Sequence, residues 1–248
     1  MTDTAGVQRL RDAHIHDHFG TLFALLLATF VVQGFSEFWW SRLLTSILEL
    51  CMLGVAFFTT HTKGAKPVVV ILGLAGFIGS VAAVLAEHES EAAWGFPNLV
   101  VAFIYLAILI GVLRRVLAQR HVTVETILGA LCVYFVIGLM FTNLYAAIDA
   151  FSVAPLFGEP VPRSDYSYFS FVTLTTVGYG DVVADTDIGR RFAAIEAMTG
   201  QIFLATAVAR LVSLYGVDLG RLRREPGEHD ADEGRDDGTQ GGAVQPDS

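Results

Sequence analysis

Charge is scarce in this chain of 248 residues. Only 17% of them are Asp, Glu, Lys or Arg, against 53% hydrophobic, and the mean hydropathy is +0.54. Soluble domains carry about a quarter of their residues charged, so an ordinary soluble globule is excluded. Cysteine is equally sparse. Cys51 and Cys132 both fall inside apolar runs, which excludes a disulfide framework and reads them as small buried hydrophobes. Also missing is any constellation for enzyme chemistry: there is no phosphate-cradling glycine loop, no nucleophile beside a base and no metal-ligating cluster. His14, His16 and His18 alternate near the N-terminus, where they read as a solvated lead-in to the first apolar run. No cofactor and no nucleic-acid partner are expected.

What fills the chain instead is long apolar sequence, over residues 19–35, 43–60, 67–86, 97–117, 124–147 and 188–215. Each is near the ~20 residues that cross a bilayer as a helix. Inside the hydrocarbon no water satisfies backbone polar groups, so helix is the required conformation. The fold class predicted is an all-α integral membrane protein with six transmembrane helices. The stretch between the fifth and sixth dips back into the membrane as a re-entrant segment, tolerated because protein surrounds it. The first run has no small-residue cleavage site after it and is read as a retained span.

The basic residues orient these spans. With the N-terminus cytoplasmic, twelve of the sixteen Lys and Arg lie inside, among them Arg9, Lys63, Arg114, Arg115, Arg210 and Arg221. Only Arg42, Arg163, Arg190 and Arg191 fall outside, a clear positive-inside bias. Trp39 and Trp40 sit at one interface, and Glu87, His88, Glu89 and Glu91 form an acidic outer loop whose chemistry suits sensing of external protons. The expected location is the plasma membrane, multi-pass, with both termini cytoplasmic.

Another absence concerns the fourth run. A voltage sensor needs arginines at every third position through the membrane, since charge moving in the field supplies the opening energy. Residues 100–110 carry no charge, and Arg114, Arg115 and Arg120 cluster beyond them as topology anchors. Glu49 in the second run therefore has no intramembrane partner to counter. This is not a conventional voltage sensor.

An aromatic, β-branched stretch from Tyr166 to Thr173 leads into Thr176-Val177-Gly178-Tyr179-Gly180-Asp181. A dehydrated potassium ion needs a cage of oxygens, and a short peptide can supply it by turning successive carbonyls inward. Gly178 and Gly180 permit the backbone angles this requires. The Thr176 hydroxyl would add an innermost ring, while Val177 and Tyr179 point away and wedge against a supporting helix. Potassium would sit at Thr176, Val177, Gly178 and Tyr179. One chain gives one such strand, and a ring needs four.

The run Tyr168–Asp181 resembles the pore helix and filter of tetrameric potassium channels, and in particular the bacterial potassium channel family. The resemblance covers residues 122–216. It implies a homotetramer, with three identical subunits and membrane lipid as partners of each chain, and passive potassium conduction. Aligned without gaps, Gly189 and Arg190 fall at the start of the inner helix and Gly200 on the family's hinge glycine. Glycine is also the residue for close helix packing in membranes, so both readings of Gly200 stand. The match places Gln201, Leu204 and Val208 on the cavity face. Asp181 matches an aspartate that braces the filter by bonding a pore-helix aromatic, and Tyr168 takes the partner position where tryptophan is more usual. Val172 departs from the glutamate that some members place behind the filter. Glu196, about 140° around the helix from Gln201, should face the back of the pore helix, protonated or bonded to a threonine there, and could substitute for it. Ser164-Asp165 reads as the pore-helix N-cap.

Beyond residue 215 the character changes. Residues 225–248 hold eight acids against Arg235 alone, supply minus seven of the net minus nine, and have no aromatic residue, the signature of a disordered tail. The organisation expected is a cytoplasmic segment over 1–18, a four-helix domain over 19–118, a pore domain over 119–216 and an acidic cytoplasmic tail over 217–248. Two other readings stand beside a potassium-selective channel: a weakly selective cation channel, and a sensory or assembly subunit that conducts little.

Overall fold

The computed structural model describes residues 19–35, 39–59, 78–79, 92–118 and 123–224. The first 18 residues, nearly all of the third apolar run, the acidic outer loop and the tail from 225 lie outside the described residues. Among those described, every regular element is helical: α1 (Phe19–Gln33), α2 (Trp39–Thr59), α3 (Ala92–Ala118), α4 (Val124–Phe151), α5 (Arg163–Leu174) and α6 (Asp187–Arg224). Among the described residues, three segments are long and apolar enough to cross a membrane, Gly95–Ala118, Val124–Phe151 and Asp187–Ser213; Phe19–Gln33 and the stretch Leu43–Met52 of α2 are shorter apolar helical segments.

Helix α4 is the hub and packs against α1, α3, α5 and α6. Its start is written in the sequence. Thr123 Oγ1 accepts from the Thr126 backbone N–H at 3.3 Å, and Thr126 Oγ1 accepts from the Thr123 N–H at 3.2 Å, a reciprocal capping box. Glu125 in the first turn complements the positive end of the helix dipole. The helix is apolar around its whole circumference; Cys132, Val133, Val136, Ile137 and Leu139 are fully enclosed, while Ile127 and Leu131 stay exposed on the remaining apolar face. Two glycines set the approach distances. A Cβ on Gly129 would lie 2.6 Å from Val116, and one on Gly138 would lie 2.7 Å from the Phe171 ring.

Two expectations need correcting. The N-cap of α5 is Pro162, not the Ser164-Asp165 pair, and no side chain caps the helix. Proline's fixed φ, −56° here, starts the helix without a side-chain bond, and Asp165 instead supplies acid to the first turn. Both cysteines are free, but only Cys132 is buried; Cys51 is exposed on α2, where an apolar helix can face lipid instead of protein.

Helix α6 differs from α4 in its surroundings. Only 11% of its most apolar window is buried within the protomer, against 50% for α4. Ile195, Met198, Ile202, Val208 and Val212 leave a long apolar face open. Its start is fixed by Thr186, whose Oγ1 accepts from the Gly189 N–H at 3.2 Å, and by Leu156, which lies where a Cβ on residue 189 would be.

Candidate functional site

The site is built at the C-terminal end of α5. A helix ends with carbonyls that lack partners in the helix, and here the following peptide consumes them. The Thr175 N–H donates to Phe171 O (3.0 Å) and Thr176 N–H to Thr173 O (2.9 Å); Val177 and Gly178 N–H both donate to Val172 O (3.0 and 3.3 Å). The peptide is thereby tied to α5 through its N–H groups, and among the described residues no backbone N–H donates to the carbonyls of residues 176–180. Those carbonyls are left free for another ligand.

The backbone of this peptide alternates in hand. Thr176, Gly178 and Gly180 have φ of +60°, +51° and +79°, and no other non-glycine residue described has a positive φ. Alternation of left- and right-handed residues turns successive peptide units to a common side, unlike the two-sided array of a β-strand. Glycine adopts this region freely. Thr176 does so at a strain of roughly 1–3 kcal/mol, which persists only where its surroundings over-determine it. Residues 175–181 are all exposed in the isolated protomer.

Tyr168 meets two parts of the peptide. Its hydroxyl donates to Asp181 Oδ2 at 2.7 Å, and its ring stacks on Tyr179 with centroids 6.5 Å apart and planes 3° from parallel. The bond from Tyr168 holds the Asp181 carboxyl below the usual carboxylate range, and the same bond pushes the phenol up to about 12. Because the folded pKa of Asp181 is depressed, the brace is fully present above the ordinary carboxylate pKa of about 3.9 and is lost as pH falls through the lowered folded value. The Tyr168–Asp181 bond is therefore expected to stay intact across the neutral range and to break only in strongly acid solution. In Tyr168→Phe the acid step should vanish, because the bond is absent at every pH; thermal unfolding recorded against pH in both proteins checks this.

Behind the peptide, Glu196 of α6 is completely buried. Tyr145 of α4 donates to its Oε2 at 2.6 Å, and Ser170 of α5 lies 2.5 Å from its Oε1. Its partners are thus a serine and a tyrosine; the threonine partner expected from the sequence is not what it meets. Ser170 Oγ is also 2.8 Å from the Gly138 carbonyl. Val172 is half-buried, and its contribution is the carbonyl already described.

The end of α5 is held from two further sides. Tyr134 of α4 donates to the Leu174 carbonyl at 3.1 Å, and Gly200 of α6 packs so closely that a Cβ there would lie 2.7 Å from that same oxygen. The helix runs unbroken through Gly200. Gln201, Leu204 and Val208 follow on α6 and are exposed in the protomer. Nearer its end, Arg210 Nη2 donates to the Leu117 carbonyl at 2.5 Å, joining α6 to the last turn of α3.

Sequence reasoning missed Tyr134, Tyr145, Ser170 and Asp149. Asp149 accepts from the Leu156 N–H at 2.5 Å and from the Tyr166 hydroxyl, fastening the segment between α4 and α5. Polar side chains near the end of an apolar run were the available signal for Asp149 and Tyr145. Their partners lie on other helices and leave no local trace.

Residues 121–216 match the family described as "Ion channel". The calcium-activated potassium channel slowpoke of Drosophila melanogaster is 38% identical over 64 residues, 25% of this chain and 5% of that protein. The human voltage-gated potassium channel regulatory subunit KCNF1 is 31% identical over 89 residues, 36% of this chain and 17% of that protein, and its rat counterpart matches equally. The chain thus spans a small fraction of the length of the curated relatives it matches. No solved structure matches.

Proposed function

We propose that this chain is one of four identical subunits of a potassium-selective channel that conducts passively and is not classically voltage-gated. The observation that carries the reading is the backbone of residues 176–180: alternating φ, the N–H groups of 176–178 consumed by α5, and carbonyls left free. Four such peptides around an axis would make stacked rings of oxygens that replace the hydration shell of potassium. The open apolar face of α6 fits burial against other subunits and lipid, with Gln201, Leu204 and Val208 lining the cavity. In this arrangement α4, α5 and α6 form the pore unit within residues 119–216, and α1, α2 and α3 belong to a preceding membrane domain without a charged sensor helix. The positive-inside bias supports cytoplasmic termini at the plasma membrane, an orientation that would put the filter at the outer mouth.

Within the pore, the protein supplies a rigid cage. Tyr168 and Asp181 hold its outer end, the α5 carbonyls its inner end, and Tyr134, Gly200 and Glu196 fix α5 itself. The negative end of the α5 dipole points toward the entry of the peptide and favours a cation there.

The test is potassium-driven flux into liposomes carrying the purified protein, with sodium for comparison and barium as blocker. Potassium preference with barium block is expected. Equal sodium flux would instead identify a weakly selective cation channel. Absence of flux from a tetrameric preparation would favour a regulatory subunit, the role named for the human relative.

A further inference from the structure

Hydrogen atoms can be counted around Glu196. Tyr145 has one hydroxyl hydrogen, and the only acceptor described for it is Glu196 Oε2, at 2.6 Å. Ser170 also has one, yet its oxygen faces two acceptors, Glu196 Oε1 at 2.5 Å and the Gly138 carbonyl at 2.8 Å. With a carboxylate at residue 196, one of these two short contacts would set lone pairs against each other in a site without water access. With a carboxylic acid, every contact becomes a hydrogen bond: Glu196 Oε1–H donates to Ser170 Oγ, and Ser170 donates to the Gly138 carbonyl. Gly138 lies inside α4, so its oxygen already takes the Thr142 backbone N–H of the helix and the Thr142 hydroxyl at 2.9 Å, and Ser170 joins them as a third donor sharing that carbonyl. Lengths of 2.5 and 2.6 Å fit an acid or a carboxylate equally, so the hydrogen count decides.

The surroundings agree. The groups facing Glu196 are Tyr145 from α4 and Ser170 from α5, with the Tyr134 hydroxyl of α4 farther off, turned to the Leu174 carbonyl. No described ion pair includes Glu196. A charge taken out of water without a cation is expensive enough that such a group binds a proton instead.

We infer that Glu196 is a neutral carboxylic acid whose own proton forms the link from the inner helix to Ser170 of the pore helix, making it a positioning residue for the filter. Its positioning role rests on the channel reading above; its protonation does not. The chain of bonds runs from Tyr145 through Glu196 and Ser170 to Gly138, and so joins α4, α6 and α5 in one layer behind the filter. Ser170 lies on the same short helix whose last carbonyls hold residues 175–178, so its displacement moves those anchors. The reach from residue 196 to residue 170 needs both a donor and an acceptor on one side chain, which glutamine also has and leucine lacks.

The experiment takes the full-length protein in liposomes at neutral pH and has two arms. Infrared spectroscopy of the native protein minus Glu196→Gln should show a buried carboxylic-acid C=O stretching band that the substitution removes. A carboxylate pair of bands in its place would overturn the assignment, whether or not the protein conducts. In the flux arm, Glu196→Gln should keep the potassium preference, whereas Glu196→Leu should lower it by about tenfold, the loss expected when one hydrogen bond's worth of positioning goes. Loss of preference in Glu196→Gln, from a correctly assembled preparation, would also overturn the inference, since its neutral amide reproduces the donor and the acceptor. Failure of the native protein to conduct would refute the channel reading alone, and the infrared arm would still decide the proton. Should Glu196→Leu fail to assemble, the glutamine variant and the infrared band carry the test unaided.

Discussion

Replacing Gly178 with alanine is expected to abolish potassium selectivity. The position has φ of +51°, and an added Cβ would meet nothing within 4 Å in the protomer, so the penalty is conformational and not steric. An L-residue held in the left-handed region costs roughly 1–2 kcal/mol. One ring of oxygens would draw on four subunits, so the strain multiplies to roughly 4–8 kcal/mol in a tetramer. That is comparable to the whole stability of a small domain, and the peptide has only a few hydrogen bonds with which to resist it. The expected relaxation is rotation of the peptide unit at 178, which turns a carbonyl out of line. Gly180→Ala, at φ +79°, should act in the same direction. Relative potassium and sodium flux, with the oligomer checked by size, measures the effect; retained selectivity in Gly178→Ala would mean that residue 178 does not need its left-handed angle.

Gly200→Ala should destabilise the assembled protein as well as reduce its flux. Here the contact is steric: the new Cβ would lie 2.7 Å from the Leu174 carbonyl oxygen and 2.8 Å from Leu174 Cδ1. The oxygen cannot withdraw, because it ends α5 and already accepts from Tyr134. Overpacking of this kind costs about 1–3 kcal/mol at each site. Either α6 moves away from α5, or the anchors of the filter move with α5. Gly111→Ala is the control, since a Cβ at that helical glycine meets nothing within 4 Å and alanine favours helix. Thermal unfolding of the two variants separates the two meanings of Gly200. A hinge alone would alter opening and leave the melting temperature near that of the native protein; a packing contact lowers it.

The backbone of the peptide proposed as a filter was legible because its chemistry is local. Spacing of glycines within five residues states where the backbone must go left-handed, and the structure has positive φ at both, together with Thr176, which no residue-type rule would have selected. Hydropathy follows from composition alone, and the runs over 97–117, 124–147 and 188–215 correspond to the three long apolar helices among the described residues, while those over 19–35 and 43–60 give shorter apolar helices. The boundary of α5 was less legible: Ser164 and Asp165 have capping chemistry, but Pro162 fixes the entry angle first. Residues 145, 170 and 196 were the least accessible. Each is a polar residue whose meaning depends on the other two, and the pairs are 51 and 26 positions apart. The side of α6 bearing Glu196 could be reasoned from helical periodicity, but its partners could be found only by packing three helices together. The same holds for Gly200, where the sequence offers a small residue and the structure supplies the carbonyl that requires it.

The most direct test of the account is the reversal potential of the reconstituted protein in a planar bilayer, with potassium on one side and sodium on the other. The account predicts a current that reverses at a voltage strongly favouring potassium and that is blocked by barium. A barium-insensitive current reversing near zero would contradict it, because carbonyls held as residues 176–180 hold them could not then be lining the path of the ion.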